Sequence, residues 1–201
     1  MPHGDDAALA AAKKVLRDQV RRERSALDPV ARRARDAART GWLLESAAGF
    51  RAVAAYASIG DEPGTLDLLA RLADRGQQVL LPVLTPLAEG VPRREPAWAW
   101  MDRVDDLRPG LWGIGEPAGD ALPAEALAGV DLVLSSGLAA GRDGSRLGAG
   151  GGWYDRALPH RRPGVPVWTL ADHLADTVPH GPLDQRVDAV ATADGLVRVG
   201  L

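Results

Sequence analysis

AVAAYASIGDEPGTLDLLARLADRGQQVLLPVL, residues 52 to 84, decides the fold class. Its two ends, AVAAYASI (52 to 59) and QVLLPVL (78 to 84), are short and almost continuously apolar, as expected of strands covered on both faces. GTLDLLARLADRG between them reads as a helix, with Thr65 near its start and Gly76 just past its end. Strand, helix and strand at this spacing make a βαβ unit with a right-handed parallel crossover. VDLVLSS (130 to 136), VPVWTLA (165 to 171) and DAVAT (188 to 192) repeat the same apolar signature. The class is therefore α/β, a three-layer α/β/α sandwich on a mainly parallel sheet.

Upstream of this unit the period is helical. Leu9, Ala12, Leu16, Val20 and Leu27 fall on one face and leave Lys13, Arg17, Arg21 and Arg24 on a shared polar stripe. Asp28-Pro29 reads as an N-cap followed by proline at the first helical position, opening a second helix to about Ala48. Residues 13 to 39 hold ten Lys and Arg against Asp18, Glu23, Asp28 and Asp36, although the whole chain has a formal net charge of −3. Such a basic segment suits RNA, a membrane surface, an anionic small molecule or simply water. Downstream, residues 85 to 129 are broken by six prolines and contain Trp98, Trp100 and Trp112, so no long element is expected there.

With 201 residues, 46% of them hydrophobic, and no repeat or linker, a single domain over 1–201 is expected, with residues 1 to 6 disordered. A monomer is favoured. No run of 18 apolar residues and no signal-like start are present, which predicts a cytoplasmic protein without a membrane partner. An aromatic content of 4%, with no aromatic-interleaved basic strand, argues against a nucleic-acid platform. The absence of cysteine excludes disulfides, thiolate metal sites and a Cys nucleophile. His160, His173 and His180 show no metal-ligand spacing, and no GxSxG elbow surrounds Ser58, Ser135 or Ser136.

The chemistry concentrates in GRDGSRLGAGGGWYDRAL, residues 141 to 158, at the carboxyl end of a strand, where open parallel sheets bind ligands. Its glycines permit positive φ and close approach of backbone N–H groups to an anion, and a helix starting near Gly152 adds its dipole. It is neither a Walker A loop nor a dinucleotide fingerprint, because GxxxxGK[ST] is absent and Trp153 stands where the last glycine is needed. Arg146 offers a bidentate cation for phosphate, and Asp155 suggests a bridging Mg²⁺. A plain tight turn beside a helix-dipole Asp is the competing reading. Glu62 lies just after the first strand, where strand ends carry sites.

AAKKVLRDQVRRERSALDP, YASIGDEPGTLDLL, LLPVL, LWGIGEP and above all DGSRLGAGGGWYDRAL resemble, in this order, the 5-formyltetrahydrofolate cyclo-ligase (methenyltetrahydrofolate synthetase) family. The resemblance spans nearly the whole chain. It implies a NagB/RpiA/CoA-transferase-like domain preceded by two helices, and an ATP- and Mg²⁺-dependent closure of reduced folate through a phosphorylated formyl group. It also implies roles residue by residue. Lys13 and Arg17 hold ATP phosphates, joined by Arg146 and the backbone of Gly148, Gly150, Gly151, Gly152, Trp153 and Tyr154, with Lys13 and Arg146 as the catalytic cations. Asp155 and Asp184 bind Mg²⁺. Glu62 contacts the folate near its formamide, with Trp112, Tyr154 and Gly150 to Gly152 around the pterin. The chain departs from the family pattern at Ser135-Ser136, usually Val-Pro, and at Ala140-Gly141, where an aromatic or Val precedes Asp. A sugar-phosphate isomerase or CoA-transferase-like enzyme, or a folate- or nucleotide-binding paralogue without turnover, are the alternatives.

Overall fold

The computed structural model describes residues 3–60, 62–88 and 91–200. Their helices are α1 (His3–Ser25), α2 (Pro29–Ser46), α3 (Leu66–Asp74) and α4 (Trp153–Ala157). Their strands are β1 (Ala52–Ala54), β2 (Gln78–Pro82), β3 (Trp98–Met101), β4 (Arg108–Pro109), β5 (Gly115–Glu116), β6 (Leu132–Ser136), β7 (Ala139–Gly141), β8 (Arg146–Leu147), β9 (Val167–Leu170), β10 (His173–Ala175), β11 (Ala189–Thr192) and β12 (Gly195–Arg198). Met1 and Pro2 lie outside the described residues, while residues 3 to 6, expected to be disordered, belong to α1.

The apolar runs form one seven-stranded sheet in the order β12-β11-β9-β6-β1-β2-β3. β1 pairs in parallel with β2 and β6, and β9 in parallel with β6 and β11, while the edge strands β3 and β12 are antiparallel to their neighbours. Period-two alternation explains why the runs look apolar throughout. Val53, Val79, Leu81, Leu132, Leu134, Trp168 and Leu170 point into one core, with Leu43, Leu44, Leu68, Leu69 and Leu72 of α2 and α3. Ala52, Ala54, Leu80, Val133, Val167 and Val190 point into the other, against Leu127, Tyr154, Ala157 and Leu158. That second face is covered by short helical turns, Ala124–Gly129, α4 and Leu158–His160, where the sandwich reading expected a layer of helices.

Local chemistry sets the element ends. Asp28 accepts hydrogen bonds from Val30 N and Ala31 N at 2.7 and 3.3 Å, capping α2 behind Pro29. Gly76, at φ +78°, lets Gln77 N reach back to Leu72 O at 3.0 Å and closes α3. Thr65 does not cap α3; its hydroxyl donates to Tyr56 O at 2.6 Å and fixes the loop after β1. β1 ends at Ala54, five residues before the apolar run does, because the chain turns off the sheet there to form that loop. The proline-rich region contains β3, which the prolines obscured. Its Trp98 is completely buried and packs edge to face on Trp153 at 4.7 Å.

α1 stands apart from the sandwich. Leu16 and Val20 pack on Leu138, Ala139, Leu147 and Val178 around the small sheet β10-β7-β8. This docking turns the stripe of Lys13, Arg17, Arg21 and Arg24 onto the loops beyond the strand ends. Arg24 is only 2% exposed, so this end of the stripe is not a solvated face. Arg24 and Arg39 both donate to Asp172, Arg39 also bonds Asp36 at 2.8 Å, and Asp36 receives Gly64 N at 3.0 Å. A buried ion network thus ties α1, α2 and the loop after β1 together.

Candidate active site

β2 follows β1 on one side, and β6 lies on the other side of β1. The chain leaving β1 and the chain leaving β6 therefore diverge, and the crevice between them is where open α/β sheets take ligands. A cleft of about 290 Å³ opens there, and every residue assigned a role from the sequence lines it.

The glycine loop forms one wall. Gly150 and Gly152 sit at φ +114° and +63°, where a Cβ is strained, and a Cβ on Gly148 would lie 2.8 Å from Arg146 Nη1. Gly151 differs: its φ is not in the left-handed region, and a Cβ there would meet nothing within 4 Å. The protein alone gives three of these glycines a reason and leaves the fourth without one. α4, which begins behind Gly152, is only five residues long, so the expected helix-dipole contribution has little basis. Arg17 Nε donates to Gly148 O at 2.9 Å, and α1 is thereby latched to the loop.

Two ion pairs face the cleft, and each joins a predicted phosphate ligand to a predicted metal ligand. Lys13 Nζ donates to Asp184 Oδ2 at 2.5 Å, and Gly181 N donates to the same oxygen at 2.6 Å. Burial pushes the Asp184 carboxyl up, but the Lys13 ammonium and the Gly181 amide outweigh it and hold it below the usual carboxylate value. Arg146, with a side chain 4% exposed, donates through Nη2 to Asp155 Oδ1 at 2.7 Å and through Nη1 to Ser136 O at 3.3 Å. Its guanidinium lies 5.6 Å above the Tyr154 ring, whose hydroxyl burial pushes well above its ordinary pKa. Gln185 N also donates to Asp155 Oδ1, at 3.0 Å. Among the described residues, Asp155 Oδ2 and Asp184 Oδ1 take no hydrogen bond. Two carboxylates with one free oxygen each suit a hard cation that keeps waters and takes its other ligands from a substrate. No cluster of three or more His, Asp or Glu suited to a metal is found among the described residues, and His160, His173 and His180 are engaged elsewhere.

Glu62 closes the far wall. Its Oε2 accepts from Ile59 N at 3.1 Å, its Oε1 from Ser136 Oγ at 2.6 Å, and its backbone carbonyl from Arg24 Nη2 at 2.7 Å. Trp112, 75% exposed, stands at the rim with φ +58°, an uncommon conformation for a bulky side chain. Sequence reasoning missed Ser136, Arg24, Arg39 and Asp172. For Ser136 the departure from Val-Pro was the available signal; the buried network has none, because its members are distant in the chain. At the other departure, Gly141 is required, since a Cβ there would collide with Asp143 and Ser145. Asp143 itself orders that turn, accepting from Ser145 N at 3.0 Å, Ser145 Oγ at 2.5 Å and Thr177 Oγ1 at 3.0 Å.

Fold and site together define an α/β enzyme whose cleft, at a sheet switch point, brings cations, carboxylates and a glycine-lined wall together. The model of the 5-formyltetrahydrofolate cyclo-ligase family matches residues 9–193. The chain belongs to that family of ligases. It is 35% identical over 182 residues to the 5-formyltetrahydrofolate cyclo-ligase of Mycolicibacterium smegmatis, covering 90% of this chain and 93% of that protein. A mouse protein of the same name is 33% identical over 93 residues, 41% of this chain and 45% of its own length. Among solved structures, Aquifex aeolicus 5,10-methenyltetrahydrofolate synthetase superposes with a TM-score of 0.76 at 24% identity, covering 93% and 92% of the two chains. The Mycoplasma pneumoniae 5,10-methenyltetrahydrofolate synthetase does so with a TM-score of 0.67 at 18% identity, over 90% and 98%. At these identities the two structures support the fold alone.

Proposed function

We propose that this protein catalyses the ATP-dependent cyclisation of 5-formyltetrahydrofolate to 5,10-methenyltetrahydrofolate, releasing ADP and phosphate. The observation that carries the reading is the meeting, in one cleft, of Lys13, Arg17 and Arg146 with Asp155, Asp184, Glu62 and the glycine loop. Hydroxide is a poor leaving group, so a formamide cannot lose its oxygen directly. The formyl oxygen attacks the γ-phosphorus and ADP departs; N10 then attacks the formyl carbon, and the carbon–oxygen bond breaks as hydrogen phosphate leaves with that oxygen and the N10 proton. Little covalent chemistry is asked of the protein, and positioning and charge neutralisation supply the catalysis.

Lys13 and Arg146 balance the charge on the moving phosphoryl group from opposite sides, with Arg17 and the backbone of Gly148, Gly150, Gly151, Gly152, Trp153 and Tyr154 holding the rest of the phosphate chain. Asp155 and Asp184 would hold Mg²⁺, which would supply Lewis-acid neutralisation of phosphate charge. Glu62, an acceptor-only carboxylate, grips N–H donors of the folate near the formamide, and Trp112 and Tyr154 wall the pterin. The test follows methenyl absorbance with 5-formyltetrahydrofolate, Mg²⁺ and ATP, alongside ADP release. One ADP per methenyl product is expected. Product formed at the same rate without ATP would overturn the reading.

A further inference from the structure

Ser136 is the last residue of β6, next to β1 across the switch point, and it faces both halves of the cleft. Its hydroxyl donates to Glu62 Oε1 at 2.6 Å, and its carbonyl accepts from Arg146 Nη1 at 3.3 Å. Glu62 belongs to the loop after β1, seven residues beyond the point where Ala55 N bonds Leu80 O of β2 at 2.9 Å, and its carboxylate has two anchors among the described residues, Ile59 N and Ser136 Oγ. The first is local and travels with the loop. Only Ser136 ties that carboxylate to the sheet.

We propose that Ser136 is a positioning residue: it fixes the Glu62 carboxylate against β6, and so sets the distance between the group that grips the folate and the cation that meets the phosphoryl group. A serine hydroxyl has one proton, and giving it to Oε1 fixes that oxygen while Glu62, which lines the cleft, keeps further lone pairs as acceptors. A carboxylate free to rotate still binds, but it does not hold the formamide at the approach that phosphoryl transfer needs, where small misplacements are costly in rate. The proposal rests on the proposed function, because Glu62 is taken to touch the folate.

The experiment compares Ser136→Ala, Ser136→Thr, Glu62→Gln and the double variant Ser136→Ala/Glu62→Gln in the full-length enzyme, with melting temperature recorded for each. Ser136→Ala is expected to lower kcat/KM for 5-formyltetrahydrofolate about tenfold, the order of one hydrogen bond to a charged group, and to change KM for ATP less than about twofold. Ser136→Thr, which keeps the hydroxyl, is expected to restore most of the loss. The double variant is expected to be no worse than Glu62→Gln, since Ser136 acts through Glu62. Wild-type kinetics in Ser136→Ala, equal losses toward both substrates, or losses that multiply in the double variant would each overturn the assignment while leaving the function standing. A wild-type enzyme that does not cyclise 5-formyltetrahydrofolate overturns the function, and the role of Ser136 with it.

Discussion

Gly151 is the position where a glycine required by the protein and a glycine required by a ligand predict opposite results. In Gly151→Ala the new Cβ meets nothing within 4 Å, and the backbone is outside the left-handed region. Replacing glycine by alanine at a compatible position restricts the unfolded chain and stabilises by about 0.4–1 kcal/mol. For a chain of this size that is a rise in Tm of roughly 1–4 °C. Gly152→Ala is the opposite case, because φ +63° costs an L-residue roughly 1–2 kcal/mol, and Tm is expected to fall by several degrees. If the backbone at Gly151 approaches phosphate or folate, its methyl group intrudes on the ligand, and ATP and folate affinities are expected to fall together by about tenfold, equivalent to about 1.4 kcal/mol. Calorimetric melting beside equilibrium ATP binding reads both quantities. Gly151→Ala that is more stable but binds ATP as tightly as the wild type refutes the cradle, and the loop is then a tight turn and no more.

Three further outcomes are expected. Asp155→Asn should abolish most turnover and Asp184→Asn should raise the Mg²⁺ requirement, with circular dichroism unchanged; wild-type rates in both at limiting Mg²⁺ would remove the metal assignment. Asp172→Ala strips the shared partner from Arg24 and Arg39, which are 2% and 1% exposed, and is expected to destabilise by about 3–5 kcal/mol in urea unfolding, whereas a loss under about 1 kcal/mol would mean water enters the network. Burial pushes the Asp143 carboxyl up, but Ser145, Thr177 and Arg186 outweigh it and bring it from 3.8 down to about 2. The folded state therefore binds this proton less readily than the unfolded chain, so the stabilisation is complete above pH 3.8 and fades as pH falls toward about 2. Asp143→Asn should melt below the wild type at neutral pH and converge with it across that window.

Five of the seven strands of the main sheet and the starts of its helices were legible in the sequence, as were the side chains expected to carry chemistry. Apolar runs of strand length, the Asp28-Pro29 cap and Gly76 are local signals, because backbone geometry and burial act over a few residues. The glycines of residues 148 to 152, with Arg146 and Asp155 nearby, were legible for the same reason. Tertiary structure alone decided what these groups face. Helical periodicity puts Leu16 and Val20 on the apolar face of their helix, but only their packing on Leu138, Leu147 and Val178 brings Arg17 to the glycine loop and Lys13 to Asp184. Lys13 meets Asp184 across 171 positions of chain and Ser136 meets Glu62 across 74, and no local pattern encodes such pairs. The short proline-flanked β3 emerged only through its pairing with β2. The buried Arg24, Arg39 and Asp172 read as solvated charge in a sequence, because a charge is buried only where its partner is, and the fold alone brings the partners together.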